Sequence, residues 1–210
     1  MMPIYRTTLD VSIVPFDVIN SDLDDHDTRF PEASNGLSTA TLGSRRDLED
    51  WAQPYRDVIR SIANKFVPYS VDESYEEMVK SNWVNRMYES GYARYHTHVP
   101  CDIALVWYLN SPSGCGNFVL DFNGTEYVVP IKTGDLIAFP ARLGHYTEPN
   151  HSGQARLVMG ANVVSTENFR HRMKGKLSDE QVDTIYSNRQ DKITQEMIEW
   201  HEKNSTHLSE

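Results

Sequence analysis

From residue 85 to residue 164 the chain alternates short apolar or aromatic runs with turn residues, and that texture restricts the fold more than any other feature. The runs are "NRMYESGYARYHTHV", "DIALVWYLN", "NFVLDF", "TEYVVPI", "DLIAFPA" and "ARLVMGANVV". The breaks "SPSGCG", "NGTE", "KTGD" and "NHSGQ" carry the Gly, Asn, Asp, Ser and Pro that turns need. Asn123-Gly124, between two such runs, is the strongest hairpin signal in the chain. Several short strands with no helix between them predict an antiparallel barrel or jelly roll.

The flanks have a different texture. Near the N-terminus "IYRTTLDVSIVPF" is β-prone and broken by Pro15, and the Asp-, Ser-, Asn- and Gly-rich stretch from Asn20 to Ser44 shows no apolar period. That stretch is expected to be a long surface loop. Beyond Ser44, Leu48, Trp51, Tyr55, Ile59, Ile62 and Phe66 recur at helical steps, with Pro54 marking a restart of the helix. Near the C-terminus Ser178 caps a helix with Gln181 three residues on. Its stripe of Val182, Ile185, Tyr186, Ile193, Met197 and Trp200 either covers the barrel or pairs with a second copy as a homodimer.

The 210 residues suffice for a full hydrophobic core without staples. A formal charge of −10 argues against a nucleic-acid partner and against an anionic membrane surface. No run approaches the roughly 20 apolar residues of a membrane span, and no secretory leader is read at the N-terminus. Cys101 and Cys115 read as free thiols in a reducing compartment, so a cytoplasmic location is expected.

Chemistry concentrates on histidine. His96 and His98 stand two apart at the mouth of an apolar run, and on a strand they would share a face. His145 follows a separate run and turn, so a jelly roll could bring all three to one point. Arg156 opens a buried strand, where a guanidinium needs an anion, best a bidentate carboxylate. His26, among aspartates, reads as a solvated residue, and Asn162 as a strand end or a cavity residue.

The run from "ESGYARYHTHVPCDIALVWYLN" through "VVPIKTGDLIAFPARLGHYTEP" to "ARLVMGANV" resembles Fe(II)- and 2-oxoglutarate-dependent oxygenases of the prolyl-hydroxylase-like group, and uncharacterised bacterial and phage members in particular. The likeness spans about residues 80 to 164 and lies in the order of an H-x-H pair, a YLN strand, a G-D-L-x-x-F-P segment, a histidine and a later arginine. It implies a double-stranded β-helix (jelly roll, cupin-like), mainly β with flanking helices. A single domain over 1–210 is expected, with its core at about 80–165 and a helical segment at about 177–204.

The resemblance also implies roles. His96 and His145 would ligate iron, and His98 falls where the group places a carboxylate. Asp102 is the alternative third ligand if the strand bends at Pro100. Arg156 would pair with the distal carboxylate of 2-oxoglutarate, with Tyr92, Tyr95 or Tyr108 as a hydrogen-bond donor. The implied reaction joins O2, 2-oxoglutarate and an unknown peptide or small-molecule substrate, giving succinate and a hydroxylated product. Two other readings compete: a three-histidine dioxygenase of cupin type without 2-oxoglutarate, and a non-enzymatic jelly-roll binding module.

Overall fold

The alternating runs fold as strands. The computed structural model describes residues 2–29, 37–41, 53–67, 83–163 and 178–205. In chain order their elements are β1 (Tyr5–Thr8), α1 (Phe16–Arg29), β2 (Leu37–Thr41), α2 (Gln53–Phe66) and β3 (Trp83–Met87). There follow β4 (Ile103–Asn110), β5 (Phe118–Phe122), β6 (Thr125–Val129), β7 (Asp135–Pro140), β8 (Gly144–Thr147), β9 (Arg156–Val163) and α3 (Asp179–Asn204). A six-stranded sheet runs β1-β7-β4-β9-β3-β2 and faces a three-stranded sheet β6-β5-β8, with every pairing antiparallel. This is the jelly roll expected from the turn-punctuated runs. No helix among the described residues is long and apolar enough to cross a membrane.

β4 lies between β7 and β9, and its near-continuous apolar character follows from burial on both faces. Ile103, Leu105, Trp107 and Leu109 join the core that α1, α2 and α3 cover. Ala104 and Tyr108 point the other way, into the core between the sheets, with Phe118, Leu120, Ile137, Phe139 and Val158. The Asn123-Gly124 signal is realised as the two-residue link of β5 to β6. Both residues have positive φ, 55° and 75°, the condition for a turn whose twist matches the strands.

The helices show where pattern reading succeeds and fails. α3 starts on Ser178 with the capping box expected from Ser178 and Gln181. Ile193 and Met197 are buried against the chain's own core, so its stripe covers the barrel; Arg189, Gln190 and Thr194 are buried beside them. Pro54 sits in the first turn of α2, where its missing N–H has no partner to lose. Leu48 and Trp51 lie outside the described residues. The expectation of one long loop from Asn20 to Ser44 is corrected: α1 occupies its start and β2 runs within it. α1 escapes a pattern search because, among its described side chains, only Ile19 and Leu23 are deeply buried, amid many aspartates.

A second correction concerns "YARYHTHV". It is not a regular strand: β3 ends at Met87, and His96 forms only an isolated bridge with His145.

Trp107 is fully buried and stacks on Tyr55 of α2 with ring centroids 5.3 Å apart at 21°. Trp107→Ala is expected to cost about 3–5 kcal/mol, a large cavity in a core that cannot collapse to fill it. The urea midpoint of unfolding measures this, and a loss under about 1 kcal/mol would show that the ring does not hold α2 on the sheet.

Candidate metal centre

β8 is only four residues long, and it carries the centre. Its alternation turns His145 and Thr147 inward. On the side away from β5, His96 and His145 exchange two backbone hydrogen bonds, each 3.0 Å. His98 is fixed by its own amide, which donates to the Ala141 carbonyl at 2.8 Å in the turn before β8. Both members of the H-x-H pair are thus tied to the segment that bears the third histidine. Gly144 is required here because the Tyr95 ring lies where a side chain would project.

The three imidazoles converge. One ring nitrogen from each of His96, His98 and His145 lies within 4.8 Å of the other two, the spread of donors around a metal ion. Ring centroids are 4.2 Å apart for His96 and His145, and 5.0 Å for each pair with His98. His96 Nδ1 lies 2.6 Å from the Arg94 carbonyl, and His145 Nδ1 lies 3.1 Å from the Leu143 carbonyl. A carbonyl only accepts, so both Nδ1 atoms carry the proton and both Nε2 lone pairs are free for a cation.

Burial, followed by the neighbouring His96, pushes His98 down to about 4 and His145 down to about 3. Phe139 edges onto His145 at 4.6 Å, and Trp83 lies 5.9 Å from His98, so apolar rings surround the cluster. Gly160 makes room for the Trp83 indole, which a side chain there would strike.

The cavity runs from the histidines past Asn85, Met87, Ala93, Tyr108 and Thr147. Behind it lies Arg156, fully buried at the start of β9. Its Nη2 donates to Thr147 Oγ1 at 2.8 Å and approaches the Met87 sulfur, and its Nη1 donates to the Cys115 and Glu148 carbonyls. No carboxylate is among these partners. Burial holds its pKa below the usual arginine range.

Tyr108 is equally buried. Its hydroxyl has no hydrogen-bond partner, and burial raises its pKa. The cavity is thus lined by a phenol without a hydrogen-bond partner, Tyr108, and by Thr147, to which the guanidinium behind it is bonded.

The other residues singled out from the sequence lie elsewhere. Tyr92 is exposed and does not line the cavity. Tyr95 is exposed too, and its hydroxyl donates to Asp121 Oδ2 at 2.9 Å across Gly144. Asp102 is fully buried away from the cluster, with its carboxylate 3.2 Å from Arg189 of α3. The side chain of His26 lies outside the described residues.

Sequence reasoning missed Asn85, a cavity-lining residue whose buried Oδ1 has no partner, because one polar residue in a strand gives no signal. It missed Trp83 because an aromatic residue in a strand reads as ordinary core. Asn162 is half-buried on β9, and its Oδ1 is also unpartnered.

No family model matches this chain, and no curated protein does. Solved structures match its fold. A Pseudomonas putida prolyl-4-hydroxylase superposes with a TM-score of 0.53 at 13% identity, over 78% of this chain and 94% of that one. A Trichoplax adhaerens prolyl hydroxylase, solved with a hypoxia inducible factor peptide fragment, gives 0.54 at 12% over 80% and 86%. The viral collagen prolyl hydroxylase of Paramecium Bursaria Chlorella virus-1, in its 2OG complex, gives 0.51 at 15% over 77% and 96%. The chain has the fold of these enzymes.

The depressed imidazole values have a consequence for stability. In the unfolded chain the rings titrate near 6.5, so below that pH the unfolded state binds more protons than the fold does. Stability of the metal-stripped protein should therefore fall as pH drops from about 6.5, levelling for these two groups only near their folded values of about 4 and 3. Urea unfolding at about pH 7.5 and about pH 5 reads the slope, and His145→Asn should reduce it. An unchanged slope in that variant would mean that His145 is not held neutral by burial.

Proposed function

We propose that this chain, built on the jelly roll of the prolyl hydroxylases, is a mononuclear non-haem Fe(II) oxygenase. It would couple oxidative decarboxylation of 2-oxoglutarate to hydroxylation of a substrate. The observation that carries the reading is a cavity lined by three convergent imidazoles and an unpartnered phenol, with a buried guanidinium behind it that bonds the lining Thr147 and has no carboxylate among its hydrogen-bond partners. A buried cation whose bonded partners are all neutral is costly, and a bound dicarboxylate would supply the opposite charge.

His96, His98 and His145 would hold the iron, with Nε2 facing the metal from His96 and His145. Bound iron would supply the activation of O2 that the side chains cannot perform. The chain's own residues bind and orient. Arg156 and Tyr108 grip the distal carboxylate of the cosubstrate. Thr147 accepts from the Ala93 amide as well as from Arg156, which fixes the guanidinium. Trp83, Phe118 and Phe139 keep water from the donors.

The histidine at position 98 sets this centre apart, because such iron is usually held by two histidines and one carboxylate. Three imidazoles bring no negative charge, so the cosubstrate carboxylates would neutralise the ion alone. Iron and 2-oxoglutarate would then bind with strong mutual dependence. The Trichoplax enzyme's peptide ligand supports a peptide side chain as substrate, with a small molecule the other class the cavity admits.

The all-histidine set also favours a second reading, a dioxygenase that oxidises its substrate without 2-oxoglutarate. That reading gives Arg156 no role.

Anaerobic titration with Fe(II) and 2-oxoglutarate separates the two readings by the visible charge-transfer band of a chelated 2-oxo acid. Arg156→Ala should need at least ~30-fold more 2-oxoglutarate, equivalent to about 2 kcal/mol, and Tyr108→Phe about tenfold more. Tight iron with no band would favour the second reading, and neither iron nor band would leave a binding module. Among ligands, His145→Ala should abolish Fe(II) binding at low micromolar metal. Asp102→Ala should retain metal that His98→Ala loses, and the reverse result would make Asp102 the third ligand.

A further inference from the structure

The turn before β8 and the loop after His98 touch a common group on the C-terminal helix. Gln190 of α3 is fully buried between them. Its Nε2 donates to the Asp102 carbonyl at 2.9 Å and reaches the Cys101 carbonyl at 3.4 Å. Its Oε1 accepts from the Arg142 amide at 3.2 Å.

Each contact lies one short step from a histidine. The Cys101 amide donates to the His98 carbonyl, closing the turn that ends in Cys101 and Asp102. Arg142 precedes Leu143, whose carbonyl holds the His145 ring. One carboxamide thus spans the loop carrying His98 and the turn carrying His145. Its neighbours on α3 reinforce the grip: Tyr186 donates to the Cys101 carbonyl at 3.1 Å, Arg189 pairs with Asp102, and Asp191 pairs with Arg142.

We infer that Gln190 is a positioning residue for the metal centre, setting the separation of His98 from His145 through the two backbones it bridges. This rests on the reading of the three histidines as metal ligands. His96 needs no such support, since its bridge to His145 is direct. His98 has a single backbone bond to the turn before β8, from its amide to Ala141, and Gln190 locks the turns on both sides of that bond from behind. A carboxamide suits the task because it donates on one side and accepts on the other, which neither a carboxylate nor an apolar side chain can do.

The test uses the full chain, stripped of metal and titrated with Co(II), reading affinity, the visible spectrum of bound Co(II) and the unfolding temperature of the apo protein. Gln190→Met removes both contacts, and Gln190→Glu sets an acceptor against the Asp102 carbonyl. Each should weaken Co(II) about tenfold or more and alter the spectrum, the usual scale for losing support behind a ligand. Met197→Ala, buried on the same helix away from both loops, should lower the unfolding temperature yet leave Co(II) affinity within about twofold.

Folded Gln190→Met with wild-type affinity and spectrum would overturn the inference. So would Met197→Ala weakening Co(II) equally, because α3 would then support the sheet in general. If Gln190→Met does not fold, Tyr186→Phe decides: a fall of about two- to threefold upholds the clamp, and no change removes it. Wild type that takes up no Co(II) would overturn the metal reading itself, and the inference with it.

Discussion

Two backbone hydrogen bonds between His96 and His145 organise the site. They join the irregular segment after β3 to the short strand β8, and so bring histidines 49 positions apart in the chain to ring centroids 4.2 Å apart. The bond from the His98 amide to Ala141 extends the same zipper by one step. A pair of isolated bridge bonds is weak support alone. Here it is backed by a sheet on one side, where β8 pairs with β5, and by α3 on the other, where Gln190 and Tyr186 hold the loop backbone.

The electrostatics of the cavity follow from burial at both ends. At the histidine end, desolvation disfavours protonation of His98 and His145, and the Leu143 carbonyl fixes the tautomer of His145, so that ring presents its Nε2 lone pair. At the other end, carbonyls, a hydroxyl and a thioether solvate Arg156 without neutralising it. A cluster of imidazoles with no carboxylate, in front of a retained positive charge, would ordinarily be poor design for stability. It makes sense where a dianion completes the balance.

Much of this was legible in the sequence for a physical reason. The strands of the jelly roll advertise themselves through turn residues, the Asn123-Gly124 hairpin above all, and β4 through apolar burial on both faces. His96, His98 and His145 stood out through the order of motifs that resembles the oxygenases, yet their convergence owes nothing to the strand alternation first invoked for the pair. It comes from backbone bonds to a distant turn, which no local pattern encodes. Asp102 illustrates the same limit: its partner, Arg189, lies 87 residues on, in a helix whose apolar stripe gave no hint of a buried cation. α1 was hidden because two buried residues in a strongly acidic segment leave no period to find.

The brevity of β8 has a consequence for any molecule held along the cavity. His145 and Thr147 are successive inward residues of one strand, so their separation along it is fixed at about 6.4–6.8 Å, two residue rises. Thr147 in turn anchors Arg156, which makes the strand a ruler laid between the histidines and the cation. Under the oxygenase reading, a molecule gripped at both ends must match that length. The five-carbon skeleton of 2-oxoglutarate and the four-carbon skeleton of oxaloacetate would then be told apart by the pleat of a single strand, which spaces the side chains that grip the two ends.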